Sequence, residues 1–421
     1  MWSDRIPPER LRGLIEGLQS VLPAHGGEPF QYSGFALLGR NQLYQNPLAT
    51  VSYWGGYAIA SGSGGVRKLP ACGFDLLQAM LDAWREYAGA RLVGFLSYDL
   101  AAELEDIGPV PAEAFHFPKF HFGLYRGWTG PVVEHAQAGW QPAAGSQPAP
   151  LAGTAFEASV ERIVAQIHAG DLFQTNLCRC IEAPLPPGAE WDLFQRMRSI
   201  NPAQYEAFIM VDEDHAIMSI SPELFLKVTN RVVESAPIKG TRPRGNIPEE
   251  DQALLNSLLA SEKDRAELAM IVDVTRNDLA RVCEPGSVEV VEHAAHLSLP
   301  TVHHLFSTVR GRLRRECGSV DLLRAAFPAA SISGAPKIEA MRVAFREEGQ
   351  WRGPCMGAIG WISVDGDMEL SVAIRTAFAS GGRVRYYAGC GITAGSEPRN
   401  EFEESCHKAA AFVRALGDPR G

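Results

Sequence analysis

The sequence lacks the paired cysteines of a disulfide framework or of a structural zinc site. Its eight cysteines are scattered over 421 residues, and no Cys-x-x-Cys pair occurs. We therefore expect free thiols in a reducing compartment, which favours a cytoplasmic protein. Residues 1–5 are not followed by an apolar segment with a cleavage site, so no signal peptide is expected. No apolar run reaches the length of a membrane span, so no membrane association is expected either.

The sequence also lacks an excess of positive charge. The formal net charge is -10, which argues against nucleic acid as a main partner because phosphate binding needs a basic face. A small anionic substrate remains compatible with this charge if basic residues converge locally. The hydrophobic fraction of 46% is sufficient for a large core, in one large domain or two ordinary ones.

The composition divides the chain into three parts. Residues 1–137 alternate helix-like and strand-like segments and show no catalytic constellation. Residues 138–154 are rich in Pro, Ala and Gly, which predicts a flexible surface connection. Residues 155–421 carry the strongest periodic patterns and the polar motifs described below, and we expect both long parts to form one interwoven fold.

Strand-like and helical patterns alternate in blocks in the third part. Strands are predicted over 205–211, 216–220, 224–228 and 369–378, and long helices over 264–282 and 398–416. Separate runs of strands and helices predict an α+β fold with helices covering large sheets.

Two predicted helices each carry a pair of acidic residues three positions apart. Asp264 and Glu267 form one pair, and Glu401 and Glu404 form the other. Residues three apart share one face of a helix, so each helix can present two carboxylates to one point. Two such faces opposite each other would suit Mg²⁺, which prefers oxygen ligands. The alternative is that both faces are solvated surface.

Lys239 lies in a basic segment, residues 235–245, within this acidic chain. A lysine acts as a nucleophile only when it is partly deprotonated, which requires desolvation or a nearby positive charge. Arg242 and Arg244 are close enough in sequence to supply that charge. The alternative is an ordinary surface lysine in a turn.

Two further segments have a composition suited to chemistry. Glu223 lies where one apolar strand meets the next, so a desolvated carboxyl with a raised pKa could serve there as a general acid. Residues 331–337 bring hydroxyl groups and Lys337 to the start of a helix, which suits a carboxylate ligand. The alternatives are a strand-end surface glutamate and an ordinary helix cap.

From about residue 155 to residue 412 the sequence resembles the chorismate-utilising enzymes, which form 2-amino, 4-amino or hydroxylated products from chorismate. The motifs that carry the resemblance are residues 170–177, 237–241, 262–267, 300–305, 333–337, 373–375, 388–392 and 401–405. Members that form the 4-amino product carry Lys at the position of Lys239, and members that form the 2-amino product carry Ala. The resemblance implies large antiparallel sheets packed as a sandwich with helices on the outside.

The resemblance also implies roles for individual residues. Glu267 and Glu404 correspond to Mg²⁺ ligands, with Asp264 and Glu401 beside them, and Glu223 corresponds to the acid that protonates the departing C4 hydroxyl. The implied substrate-binding residues are Gln174, Thr241, His304, Ser333, Lys337, Trp361, Arg375, Gly389 and Gly391. Among these, Arg375 and the backbone near the two glycines would bind the enolpyruvyl carboxylate. Gln174 stands where members that add water carry a lysine base, and Trp361 stands where a pocket tyrosine is common.

The implied reaction converts chorismate and ammonia into 4-amino-4-deoxychorismate through a covalent Lys239 adduct, for 4-aminobenzoate and folate synthesis. No segment resembles a glutaminase, so ammonia is expected from a separate glutamine amidotransferase subunit. Two alternatives remain open at this point. The chain could form the 2-amino product despite Lys239, or it could be a catalytically silent homologue that acts by binding.

Overall fold

The computed structural model of the protein describes residues 7–22, 34–39, 41–109, 111, 115–128, 140, 153–299 and 302–417. Most of the connection predicted over 138–154 therefore lies outside the described residues. Within the described ranges, no helix is both long and apolar enough to cross a membrane.

The described residues form ten α-helices. Their bounds are α1 Pro8–Gln19, α2 Gly73–Ala83, α3 Gly153–Ala169, α4 Glu190–Ile200, α5 Pro248–Leu259, α6 Glu262–Ala280, α7 Ser319–Ala326, α8 Ala330–Ser333, α9 Lys337–Glu348 and α10 Pro398–Ala415. The two acid-bearing helices predicted from sequence are found as α6 and α10. The Ser261 side chain caps α6 by accepting the Asp264 N–H, and Pro398 occupies the first turn of α10, where its missing N–H costs no hydrogen bond.

The strands form two large sheets in which every pairing is antiparallel. The eight-stranded sheet contains β1 Ala36–Leu38, β2 Gln42–Tyr44, β8 Gln174–Pro184, β9 Tyr205–Met210, β10 His215–Ser221, β16 Gly334–Ala335, β19 Thr376–Ser380 and β20 Arg383–Ile392. The twelve-stranded sheet contains β3 Ala49–Tyr53, β4 Tyr57–Gly62, β5 Gly65–Pro70, β6 Arg91–Leu96, β7 Phe120–Tyr125, β11 Leu224–Thr229, β12 Val232–Ala236, β13 Ile238–Pro243, β14 Glu289–Ser298, β15 Val302–Arg312, β17 Ala358–Ser363 and β18 Met368–Val372. The α+β prediction is confirmed.

The two sheets pack face to face, and helices cover the outer face of the smaller one. Successive strand residues point to opposite faces, and β10 shows the result clearly. Ile217 joins a core cluster that also contains residues of the twelve-stranded sheet, such as Val228. Its neighbour Met218 joins a second cluster with Phe194 of α4 and Phe412 of α10. The predicted sandwich with outer helices is therefore present.

Both sheets combine strands from the two long parts of the chain. In the eight-stranded sheet, β1 pairs with β9, and in the twelve-stranded sheet, β6 pairs with β17. The larger sheet runs in the order β13-β15-β12-β11-β18-β17-β6-β7-β3-β4-β5, with β14 also paired to β15. The smaller sheet runs in the order β16-β8-β20-β19-β10-β9-β1-β2.

The single strand predicted over 369–378 is wrong, because the chain leaves one sheet and enters the other within this segment. β18 ends at Val372 in the twelve-stranded sheet, and β19 begins at Thr376 in the eight-stranded sheet. Arg375 lies between them with a φ of 51°, a left-handed conformation that breaks an extended run. A run rich in strand-forming residues does not reveal such a crossing, because both strands favour the same residue types.

Candidate active site

Lys239 lies on β13, where a bulge next to it interrupts the pairing with β15. The register shifts between Lys239, which faces Leu305, and Thr241, which faces His304. Gly240 occupies the bulge with a φ of 71°, and a Cβ there would lie 3.0 Å from atoms of Leu258 and Asp264. Only glycine combines this conformation with such a close approach. The sequence Lys-Gly-Thr thus places the lysine and the threonine on an irregular strand edge.

The Lys239 amine and the Gln174 side chain of β8 both lie next to Gly391 of β20. A Cβ on Gly391 would lie 2.3 Å from the Gln174 side-chain nitrogen and 3.4 Å from Lys239 Nζ. A larger residue at position 391 would therefore displace the Gln174 amide and bring a side chain into contact with the Lys239 amine. The Gln174 side chain is buried, and its Oε1 has no hydrogen-bond partner among the described residues. An unpaired buried acceptor beside an amine is suited to hydrogen bonding with a polar group of a ligand.

Desolvation lowers the pKa of the Lys239 amine below its ordinary value. The Glu267 carboxylate opposes this change, and the ammonium of Lys408 reinforces it. Arg242 and Arg244, the cations expected from sequence, lie elsewhere: Arg242 pairs with Asp264 at 3.0 Å, and Arg244 pairs with Asp251 at 2.7 Å. Lys408 therefore takes the role expected of them.

Sequence reasoning missed Lys408. Its Nζ donates to Glu404 at 2.7 Å and to the Gly389 carbonyl at 3.0 Å. The available signal was its position on α10, four residues after Glu404 and therefore on the same helical face. Desolvation lowers the pKa of Lys408, but its interactions with neighbouring groups, first Cys390 and then Glu404, outweigh this and raise the pKa above its ordinary value. Lys408 is thus a charged neighbour of both the lysine and the acidic cluster.

The carboxylates of α6 and α10 converge near this amine. Glu401 is buried and accepts a hydrogen bond from Ser396 at 2.6 Å, whereas the Glu404 side chain is 53% exposed. Burial raises the pKa of Glu267, and the charge of Glu404 acts in the same direction. Burial would also raise the pKa of Glu404, but the Lys408 ammonium outweighs it and lowers that pKa. Glu267 and Glu404 therefore act on each other electrostatically within one site.

Glu223 lies between β10 and β11 with 3% of its surface exposed. Burial raises the pKa of its carboxyl to about 7, although the Ser331 hydroxyl and the Lys239 amine both act to lower it. The Ser331 hydroxyl donates to this carboxyl from the start of α8. A carboxyl with this pKa is protonated in about half of the molecules at neutral pH and can donate a proton.

The Arg375 guanidinium lies at the other side of the site with one of its nitrogens unpaired among the described residues. Its Nη1 is buried and has no partner within the described part of the chain. Its Nη2 lies 3.5 Å from His304 Nε2, and His304 Nδ1 lies 2.9 Å from the Thr241 hydroxyl. Burial lowers the pKa of His304 to about 4, so the ring is neutral at pH 7. The unpaired guanidinium is suited to an anionic group of a ligand.

Ser333 and Lys337 make their hydrogen bonds within the protein. Ser333 donates to the Ala329 carbonyl at 3.0 Å, and the Lys337 ammonium donates to Asp278 and to the carbonyls of Ala326 and Pro328. The three donors of that ammonium are thereby used. Between the two residues, β16 pairs with the start of β8 and so positions Gln174. Contact of either side chain with substrate stays a prediction.

The prediction for Trp361 is corrected by the order of the strands. Trp361 lies on β17, five strands away from β13, which corresponds to about 24 Å at about 4.8 Å per step. The Arg91 guanidinium carbon lies over the Trp361 ring, 3.9 Å from the ring centre. Trp361 lines a separate cavity with Gln42 and Tyr205, and none of the other predicted site residues lines that cavity. A sequence motif gives position along a strand but not the distance across a sheet.

A family model described as chorismate binding enzyme matches residues 133–414. The chain is 38% identical over 353 residues to aminodeoxychorismate synthase component 1 of Klebsiella aerogenes, covering 77% of this chain and 76% of that protein. It is 41% identical over 289 residues to anthranilate synthase component 1 of Streptomyces coelicolor, covering 68% of this chain and 54% of that protein.

A solved structure extends the likeness to the whole fold. The crystal structure of anthranilate synthase component I from Streptococcus pneumoniae matches with a TM-score of 0.72 and 29% sequence identity, covering 98% of both chains. The chain therefore belongs to the family of chorismate-binding enzymes and is a chorismate-utilising enzyme.

Proposed function

We propose that this protein is component 1 of an aminodeoxychorismate synthase and forms 4-amino-4-deoxychorismate from chorismate and ammonia. One observation carries the proposal: a nucleophile and an acid lie in the same site. Desolvation lowers the pKa of the Lys239 amine, and the buried Glu223 carboxyl, which interacts electrostatically with it, has a pKa of about 7. A neutral amine is a nucleophile and a protonated carboxyl is an acid, so the pair can displace a hydroxyl group. The Klebsiella relative supports this product, whereas the Streptomyces relative supports the 2-amino product equally.

In the first step, Lys239 Nζ forms a bond to C2 of chorismate. The ring double bond shifts, the C4–O bond breaks, and Glu223 donates its proton to the departing hydroxyl, which leaves as water. The lysine nitrogen now carries a positive charge, and Glu223 is a carboxylate. Desolvation of both groups favours the neutral amine and the protonated acid before this step.

In the second step, ammonia attacks C4 and the C2–N bond breaks. The double bond returns, and Lys239 leaves as a neutral amine. If ammonia arrives as ammonium, Glu223 first accepts its surplus proton and is restored as an acid. Atoms and charges balance as chorismate plus ammonium giving 4-amino-4-deoxychorismate, protonated on its new amine, plus water. Two successive allylic displacements thus place the nitrogen at C4, whereas one direct attack would place it at C2.

The acidic cluster fits Mg²⁺. Glu267 and Glu404 would hold the ion, with Glu401 and Asp264 beside them, because carboxylate oxygens are the ligands that Mg²⁺ prefers. Cys390 also lies close, with its Sγ within 4.8 Å of ligand atoms of Glu401 and Glu404, but a thiol is a poor ligand for this hard cation. When bound, Mg²⁺ would neutralise the ring carboxylate of chorismate.

The remaining anionic group of chorismate matches Arg375. Its unpaired Nη1 can donate to the enolpyruvyl carboxylate. The neutral His304 ring and the Thr241 hydroxyl would orient the guanidinium without adding charge.

Gln174 argues against a product formed by addition of water. An amide has no basic nitrogen and cannot remove a proton from water, so the buried Gln174 does not supply the base such a reaction needs. The name of the Klebsiella relative includes 'component 1', which is compatible with a second component. The ammonia is proposed to come from such a partner, a glutamine amidotransferase subunit. Synthesis of 4-aminobenzoate for folate is the use we propose for the product.

Product analysis tests the proposed reaction. The purified chain is incubated with chorismate, Mg²⁺ and ammonium, and half of the sample receives a 4-amino-4-deoxychorismate lyase before chromatography and mass spectrometry. We expect 4-aminobenzoate only in the half with lyase. Anthranilate in both halves would contradict the proposal. If no product forms even with a glutamine amidotransferase subunit and glutamine added, the chain is a silent homologue.

The pH dependence tests the assignment of Glu223. The acid must be protonated, so kcat/KM should fall as pH rises through about 7, the pKa of Glu223. Glu223→Gln should lower kcat by about 10²–10⁴-fold, the usual contribution of a general acid. Glu234→Gln, a substitution at a partly exposed residue of β12 that pairs with Arg310, should keep the wild-type rate and the same fall in kcat/KM at alkaline pH. An unchanged alkaline limb in a still active Glu223→Gln variant would remove the assignment.

Calorimetric titration tests the metal site independently of turnover. Glu404→Ala should lose most of its Mg²⁺ affinity because it removes one of two facing carboxylates. Glu403→Ala is the matched control, since Glu403 is the preceding residue on α10, is 51% exposed and pairs with Arg399. We expect it to bind Mg²⁺ like the wild type. Equal affinities for the two variants would refute the assignment of Glu404.

A further inference from the structure

A small polar cavity adjoins the carboxyl of Glu223. It lies between β11, α6 and α8 and has a volume of about 10 Å³. A space of about 10–15 Å³ accommodates one water molecule when polar groups surround it. The polar residues that line this cavity are Glu223, Ser235, Thr275, Asp278 and Ser331. Its size and lining therefore suit a single ordered water.

Asp278 of α6 is the second carboxyl residue that lines the cavity. It is 6% exposed, and its Oδ2 accepts a hydrogen bond from the Lys337 ammonium at 2.5 Å. The same ammonium donates to the carbonyls of Ala326 and Pro328, so its position is fixed from three sides. Burial raises the pKa of Asp278, and the charge of Lys337 opposes this change. Lys337 thereby orients a carboxylate whose second oxygen can accept from another donor.

The hydroxyl groups around the cavity have defined roles as donors and acceptors. Thr275 Oγ1 gives its own hydrogen to the Ile271 carbonyl at 2.8 Å, so it can only accept from a molecule in the cavity. The Ser331 hydroxyl donates to Glu223 Oε1. The hydrogen of a protonated Glu223 therefore belongs on the other oxygen, Oε2. Two acceptors on α6 and one donor on Glu223 complement a single water.

We propose that Asp278 is a positioning residue for the general acid and acts on Glu223 through one water held in this cavity. The two hydrogens of the water bind the Asp278 carboxylate and Thr275 Oγ1, so its oxygen accepts the hydrogen of Glu223 Oε2. A hydrogen bond that only the protonated acid can make favours that form. The acid thus keeps its proton until the C4 hydroxyl of the substrate takes it. The inference rests on the proposed role of Glu223.

The other neighbours of the two carboxyls do not supply this effect. Those that act on Glu223 all lower its pKa, against the effect of burial: the Ser331 hydroxyl, the Lys239 amine and the Ile238 N–H. The charged neighbours that act on Asp278 are Lys337 and Arg281, which lower its pKa, and Glu105, which raises it. The water is therefore the one polar contact of Glu223 that works in the same direction as burial.

Infrared titration of the substrate-free protein tests the proposal. The C=O band of protonated Glu223 is isolated by subtracting the spectrum of Glu223→Gln, which also removes the band of Asp99, whose pKa is about 7 as well. The wild-type midpoint should lie at about 7. Asp278→Asn should lower it by about one pH unit, because the amide can donate to the water and Lys337 loses its carboxylate. Asp273→Asn, a control on α6 whose side chain is 79% exposed, should leave it unchanged.

A conservative pair at position 275 tests the water itself and decides if Asp278→Asn does not fold. Thr275→Val replaces the hydroxyl with a methyl group of similar size and frees one hydrogen of the water, which then donates to the Glu223 carboxylate. The midpoint should therefore fall, whereas Thr275→Ser keeps the acceptor and should titrate like the wild type. The fall of kcat/KM at alkaline pH should shift together with the midpoint.

A crystal structure of the wild type at high resolution should show one water within about 3.2 Å of Glu223, Thr275 and Asp278. A dry cavity would overturn the proposal, as would a midpoint that stays at or above the wild-type value in Thr275→Val and in a folded Asp278→Asn variant. The spectra need no substrate, so this outcome is separate from the product analysis that tests the proposed function.

Discussion

The buried ion pair between Arg352 and Glu348 is the contact on which the position of the candidate site depends. Both side chains are at most 1% exposed, and their nearest charged atoms lie 2.6 Å apart. Each partner also holds β8: Arg352 donates to the Asn176 carbonyl at 2.6 Å, and Glu348 accepts the Cys178 N–H at 2.6 Å. Because β8 begins at Gln174, the Arg352–Glu348 pair fixes the position of the Gln174 side-chain amide beside Lys239. Removing one partner of a buried pair typically costs about 3–5 kcal/mol.

The N-terminal part of the chain contributes to the same contact without carrying a catalytic residue. The buried Asp99 accepts the backbone N–H groups of Arg352 and Gly353 at 3.4 and 2.7 Å, and the Tyr98 ring lies 4.3 Å from the Arg352 guanidinium. Burial raises the pKa of Asp99 to about 7, while these two N–H groups oppose the change. Strands from this part also complete both sheets. The N-terminal part, which contains none of the predicted site residues, thereby helps to hold the catalytic part in place.

Local patterns predicted the parts of the site that depend on spacing along one element. The acid pairs of α6 and α10 follow from helical periodicity, and the burial of Glu223 follows from its place between two apolar strands. The patterns could not predict contacts made across the fold. Lys408 reaches Gly389 only because α10 packs on β20, and Arg242 turns to Asp264 because α6 lies beside β13. Trp361, expected in the pocket from the resemblance, lies on β17, five strands from the β13 strand that carries Lys239.

The central claim is that Lys239 forms a covalent bond to the substrate, and intact-protein mass spectrometry tests it most directly. The chain is mixed with chorismate and Mg²⁺ without any ammonia, so that the second displacement cannot occur. The account predicts a mass increase of chorismate minus water, located by peptide mapping on Lys239. The adduct should be lost in Lys239→Ala and kept in Lys227→Ala, a substitution at an exposed lysine of β11. An adduct that persists in Lys239→Ala would contradict the account, as would 4-amino product from that variant at the wild-type rate.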